Sequence, residues 1–315
     1  MARYLARRLL ITAPVLLGVT AMAYLILSLT PGDPVQALID PNMTPQDVAI
    51  KRHALGLDQP VYVRYVKWLN ELAHGNFGYS FSTGAPVAGR ILERVGPTLE
   101  LTMTALVLSY AVAVPIGVFA ATHRYSWVDY LATLIAFLGI SLPTFFLGLL
   151  GIYVFALRLP WLPTGGTATL GGGGALDAAA HLVLPAAVLA AAGAGALTRY
   201  VRSSMLEVLG QEFVRTARAK GLGEGRVLRR HALRNALLPV VTLAGLQLPA
   251  LLAGAVITEQ IFEWPGMGRL TIEAISGRDY PVLMGITLAA AVLVMLGNLL
   301  ADLTYSVVDP RIRYD

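Results

Sequence analysis

The chain has 315 residues, of which 56% are hydrophobic and 14% charged, and its mean hydropathy is +0.64. A soluble fold of this length covers itself with more charge, so the composition describes surface that faces lipid. There is no cysteine, which excludes disulfides, thiolate nucleophiles and cysteine-ligated metals. The net charge of +5 is mostly arginine, and nucleic acid is not expected as a partner.

About 20 apolar residues are needed to cross a bilayer. Six stretches meet that length, at roughly 9–29, 98–122, 129–157, 182–203, 236–260 and 282–305. The predicted fold is an all-α membrane protein of six transmembrane helices. Arg3, Arg7 and Arg8 before the first helix, with Ala21-Met22-Ala23 inside it, mimic a signal peptide. The apolar run extends through Leu29, which is too long for a signal core, so a retained helix is expected. The predicted parts are 1–29 (N-terminal cytoplasmic segment and first helix), 30–97 (a helical segment outside) and 98–305 (a five-helix core holding the cytoplasmic loop 204–235). A cytoplasmic tail, 306–315, ends the chain.

Orientation follows from the loops. With the N-terminus inside, 15 of the 24 Lys and Arg residues fall in cytoplasmic segments. Six of the other nine lie in the long 30–97 segment, where such counts carry little weight. Both termini are therefore expected in the cytoplasm.

The 30–97 segment carries its own helix punctuation. Thr44 can cap a helix with Pro45 at its first position, Asp47 at its third and Gly56 past its end. A second helix starts near Pro60, places Val61, Tyr65, Trp68 and Leu72 on one face, and ends at Gly75. A lid packed on the membrane domain is the simplest reading, and a docking surface for an outside partner is compatible with it. The glycine-rich stretch 158–181 reads as a flexible outer connection, with Trp161 in the headgroup belt.

The basic residues concentrate between the fourth and fifth stretches. Residues 211–220 predict a short helix capped by Gly221, with Arg218 and Lys220 at the negative end of its dipole. Thr216, Ala217 and Ala219 leave part of its surface flat. Such a helix can enter a groove on another protein, with Phe213 as apolar anchor and arginines at the rim. Equally, a loop of this charge can bind anionic lipid headgroups.

RTARAKGL (215–222) followed by HALRNALLP (231–239) resembles the EAA loop of ABC-type importer permeases, in its dipeptide and oligopeptide version. Arg215-Thr216-Ala217 stands where the general pattern has Glu-Ala-Ala four residues before its glycine, here Gly221. Only the alanine is kept, a departure similar to the peptide-permease branch. PVLLGVTAMAYLILSLTPGDPV (14–35), LGLDQPVYVRYVKWL (55–69), GNFGYSF (75–81), GPTLELT (96–102), GISLPTFFLG (139–148), WLPTGG (161–166) and EWPGMGRL (263–270) resemble that branch in order.

The resemblance implies a type I ABC importer permease fold that forms half of a translocation pathway for di- or oligopeptides. It implies a second, unlike permease subunit, two ATPase subunits and an extracytoplasmic binding protein, all around a chain seated in membrane lipid. Nickel chelates, glutathione or another small ligand are the alternative cargo. Residues Glu212, Phe213, Arg215, Thr216, Ala217, Arg218, Ala219, Lys220, Gly221 and Leu222 would couple to the ATPases. None of the three lysines sits in a G-x-x-x-x-G-K-[ST] loop. No cofactor or metal is expected in this chain, and ATP with Mg belongs on the partner subunits.

Polar residues within the spans are costly and draw attention. Gln247 suits either a pore position or an interhelical hydrogen bond. Asn298 and Asp302 stand one turn apart in the last stretch, with Asp302 expected to pair with an arginine. Glu100 and Glu259, at the outer ends of their helices, suit an outward vestibule or a plain interface position. Pro115, Pro143, Pro185 and Pro249 are candidate kinks, and the run Ala190–Ala196 suits close helix packing. An ion-coupled carrier would show charge in mid-span, and an intramembrane protease would need paired aspartates or a serine and histidine in facing helices. The spans show neither.

Overall fold

The structure is a computed structural model that describes residues 2–31, 43–237, 239–240, 243 and 255–308. The described residues are nearly all helical. They fall into two compact units, one of residues up to Thr98 with Pro265–Leu296, the other centred on Leu99–Trp264.

In the first unit, α1 (Ala2–Leu29) carries α3 (Val61–Ala73) against it. The Tyr65 hydroxyl donates to the Leu17 carbonyl at 3.1 Å and lies 3.0 Å from the Thr20 hydroxyl, and the Tyr65 ring leans on Tyr24 and stacks on Trp68. This is the face expected from helical spacing. α2 (Pro45–Ala54) begins at the expected cap, where the Thr44 hydroxyl accepts from Asp47 N–H and the Asp47 carboxylate accepts from Thr44 N–H at 2.9 Å. Gly56 and Gly75 both follow helices with φ in the left-handed region.

α4 (Val87–Thr122) begins well before the predicted 98. Its first turns bury Val87 and Ile91 in a core with Met267, Leu270 and Ala274 of the helix Met267–Ser276 and with Val282, Leu283 and Ile286 of the last helix, Tyr280–Val308. Arg90, Glu93 and Arg94 interrupt the hydropathy there without interrupting the helix. Asp279 caps the last helix from a fully buried position. It accepts hydrogen bonds from the Ser80 and Ser82 hydroxyls and from Phe81 N–H at 3.0 Å. Arg90 lies 3.7 Å from the same carboxylate, so the 80–82 turn is fastened to the start of a helix 199 residues away.

In the second unit, α5 (Trp127–Ser141) lies along α7 (Ala175–Leu209). Gly195 permits this contact, since a Cβ there would collide with the Ala136 carbonyl oxygen. The expected small-residue run is thus a packing surface. The third predicted span is not one straight helix. It breaks between α5 and α6 (Thr144–Gly151) with a bend of 105°, and α6 continues in a π-helical turn to Arg158. Leu142 is extended with ψ 129°, as the residue before a proline is driven to be, and Pro143 has no N–H to continue the ladder. α4 and α7 pass through Pro115 and Pro185 as continuous helices.

Four described helices are long and apolar enough to cross a membrane, and the bent pair makes up to five. The predicted crossing at 236–260 lies largely outside the described residues, as do Gln247 and Pro249.

The 158–181 stretch is not the free connection expected from its glycines. Gly166 N–H donates to the Phe262 carbonyl at 2.8 Å, and the Thr169 hydroxyl donates to Asp177 at 2.7 Å. Buried His181 holds the Gly165 carbonyl at 2.9 Å through Nδ1. α7 starts at Ala175, inside the stretch expected to be loop. Trp161 remains exposed.

Candidate functional site

The loop between α7 and residue 237 is built on the cytoplasm-assigned end of α7. Gly210 ends α7, and Gln211 starts α8 (Glu212–Ala219). Every third or fourth residue of α8 turns inward: Val214 and Ala217 are buried with Val227 against Val208, Leu209 and Leu222. The rest of the loop packs just as firmly. Ala232 and Ala236 are buried against Leu197, Val201 and Met205 of α7 and Ala113 and Ala121 of α4, and the Ser204 hydroxyl donates to the Ala236 carbonyl at 2.9 Å.

The opposite face of α8 is open. Phe213 is 42% exposed, and Arg215, Thr216, Arg218, Ala219 and Lys220 are exposed beside it. Arg215 pairs with Glu212 at 2.9 Å, and Arg218 pairs with Glu224 through Nε at 2.8 Å. Lys220 closes the helix, and Gly221 follows with φ +77°, its N–H donating to the Arg218 carbonyl at 2.9 Å. Leu222 N–H reaches back to the Ala217 carbonyl at 3.4 Å, which completes the expected glycine stop.

Two sequence expectations need correction. Ala217 does not contribute to a flat outer surface. With 5% exposure it belongs to the inner face, because i and i+3 from Val214 lie on one side of a helix. Glu259, in the short helix Val256–Ile261, has no exposed surface, so it does not front an open vestibule. Burial follows from its position beside Thr258 and Phe262, both buried. Glu100 is exposed and Asn298 half-buried, while the Asp302 side chain lies outside the described residues. Gln247 lies outside the described residues, and among the described residues no hydrogen bond or ion pair joins Glu100 to Asn298.

One feature of this region escaped sequence reading. Asp129, in the first turn of α5, is buried and forms a two-pronged ion pair with Arg202 of α7, Nε to Oδ1 at 2.6 Å and Nη2 to Oδ2 at 2.8 Å. Tyr125 N–H adds a third bond to the carboxylate at 3.0 Å, and Ser126 caps α5. The pair fixes the start of α5 to α7 shortly before α7 delivers the chain to α8. The Ser126-x-x-Asp129 cap was readable; the partner 73 residues away was not.

Residues 113–314 match the family described as binding-protein-dependent transport system inner membrane component, and residues 1–102 match its N-terminal companion. The chain belongs to this family. This permease is 46% identical over 316 residues to the oligopeptide transport system permease protein AppB of Bacillus subtilis, with all of both chains covered. It is 40% identical to the dipeptide transport system permease protein DppB of Alkalihalophilus pseudofirmus, again over all of both chains. At the same identity and coverage it matches the glutathione transport system permease protein GsiC of Salmonella paratyphi A. Among solved structures, the MetNI methionine ABC transporter in inward facing conformations aligns with a TM-score of 0.57 at 18% identity. That alignment covers 70% of this chain and 96% of the other, a likeness of fold. The permease is thus a multi-pass inner-membrane protein with the type I ABC importer fold.

Proposed function

We propose that this permease forms half of the translocation pathway of an ATP-driven importer of di- or oligopeptides. The observation that carries the coupling role is α8: an amphipathic helix whose inner face is fixed to α7 and whose outer face offers Phe213 between charged residues. A helix held in this way transmits a push as rigid-body motion, because its buried contacts cannot shift independently of α7. Two ATPase subunits bind this face, with ATP and Mg held in their sites and none in this chain. A second, homologous but unlike permease completes the pathway, and an extracytoplasmic binding protein delivers the peptide. Both termini lie in the cytoplasm.

The coupling residues are those exposed on α8 and its stop: Glu212, Phe213, Arg215, Thr216, Arg218, Ala219, Lys220 and Gly221. Ala217 and Leu222 support them from beneath. The test is uptake and peptide-stimulated ATP hydrolysis by the reconstituted complex carrying Phe213→Ala. Both should fall while the subunits still co-purify, and full uptake by that complex would remove the coupling role. The relative named for glutathione transport supports glutathione as the second cargo to try, and the same uptake assay decides between them.

A further inference from the structure

A cavity of about 290 Å³ lies within the first unit, remote in sequence from the coupling loop. Its walls include Tyr24 of α1, Gln59 in the turn after α2, Arg64, Lys67 and Trp68 of α3, and Tyr280 at the start of the last helix, and the remaining lining is apolar. Among the described residues, no aspartate or glutamate lines it. Helical spacing explains the convergence, since positions 64, 67 and 68 share one face of α3. Two buried donors of these walls, Arg64 Nε and Trp68 Nε1, have no hydrogen-bond partner among the described residues. The Arg64 guanidinium stands 5.9 Å from the centre of the Tyr24 ring, a contact that steadies the cation without supplying an acceptor.

Buried donors left unsatisfied are costly, and charged ones most of all. A ligand that satisfies this set must bring negative charge and acceptor oxygens pointing in several directions at once. A phosphate group does so: its oxygens can meet the fixed fork of a guanidinium, an indole N–H and a lysine ammonium together. A carboxylate has two oxygens in one plane and fits three divergent donors less well.

We propose that this cavity binds the phosphate group of an anionic ligand. Two sources carry that chemistry. One is the headgroup of an anionic phospholipid, whose acyl chains would find apolar surface at Leu25 and Ile26 of α1, 51% and 59% exposed just beyond Tyr24. The other is free phosphate from the solution outside.

The experiment uses the assembled importer in nanodiscs. Native mass spectrometry reads retention of phosphatidylglycerol against phosphatidylcholine, and equilibrium dialysis reads binding of labelled inorganic phosphate in discs of phosphatidylcholine alone. Arg64→Gln should weaken binding about tenfold, the effect of losing a charge-assisted hydrogen bond. Arg124→Gln, a cation outside the cavity, should change nothing. Trp68→Phe keeps an aromatic wall and removes only the donor, so it reads the site even where Arg64→Gln lowers assembly. Variant-sensitive retention of phosphatidylglycerol assigns the site to lipid, and variant-sensitive binding of phosphate alone assigns it to a solution anion. Retention of neither, or retention indifferent to both variants, overturns the proposal.

Discussion

At Gly221 a side chain would meet nothing within 4 Å, yet φ is +77°. A β-branched residue is therefore strained there by about 1 kcal/mol or more without any clash inside this chain. Gly221→Val should leave the permease folded and assembled, and any larger loss must arise where α8 meets another subunit. We expect uptake to fall severalfold while co-purification is retained. Ala217→Asp should behave differently. It places a carboxylate among Val214, Val227 and Leu222, so the loop itself should loosen, seen as faster hydrogen exchange across 212–222 and poorer assembly. Asp129→Asn tests the hidden ion pair. Removing one partner leaves Arg202 with an uncompensated charge, a change that costs about 3 kcal/mol at a buried pair and somewhat less here, where the Arg202 side chain keeps 28% exposure. Thermal unfolding in detergent should report a lowered midpoint, and Arg202→Ala should lower it no further in the double variant.

Among the elements, α2 and α3 were the most legible. Thr44-Pro45-x-Asp47 encodes its own cap, and Tyr65 and Trp68 lie where a period of 3.6 places them, because both signals are local. α4 was misjudged at its start for a physical reason: hydropathy counts penalise Arg90, Glu93 and Arg94, although Val87 and Ile91 keep the helical period and are buried. The break at Pro143 was legible as a candidate kink but not as a bend of 105°, since the same residue type leaves α4 and α7 continuous at Pro115 and Pro185. Ties between distant residues, Ser80 to Asp279 and Asp129 to Arg202, leave no mark in a single sequence. The cap of α2 also yields a pH dependence. The Thr44 hydroxyl and then its backbone N–H donate to Asp47 and hold its carboxyl below the ordinary value of 3.8. A depressed folded value means the cap contributes fully above that ordinary value and is lost as pH falls through the lowered one. Amide exchange at residues 46–48, corrected for the intrinsic rate, should rise on acidification through that window, and Thr44→Ala should abolish the rise.

For the whole molecule, the lack of cysteine turns orientation into a clean measurement. The basic residues assign the loop after α7 to the cytoplasm and the loop before it to the outside, with α7 as the single crossing between them. Gly173 and Gly223 are suitable reporters on the two sides. Both are exposed, neither requires a positive φ, and an added Cβ meets nothing within 4 Å at either position. A lone cysteine at each should therefore leave the fold intact. In intact cells whose outer barrier is opened, a membrane-impermeant maleimide should label Gly173→Cys and spare Gly223→Cys until the inner membrane is permeabilised. The reverse pattern would invert the topology and move α8 out of reach of any cytoplasmic ATPase, and labelling of both from outside would deny that α7 crosses at all.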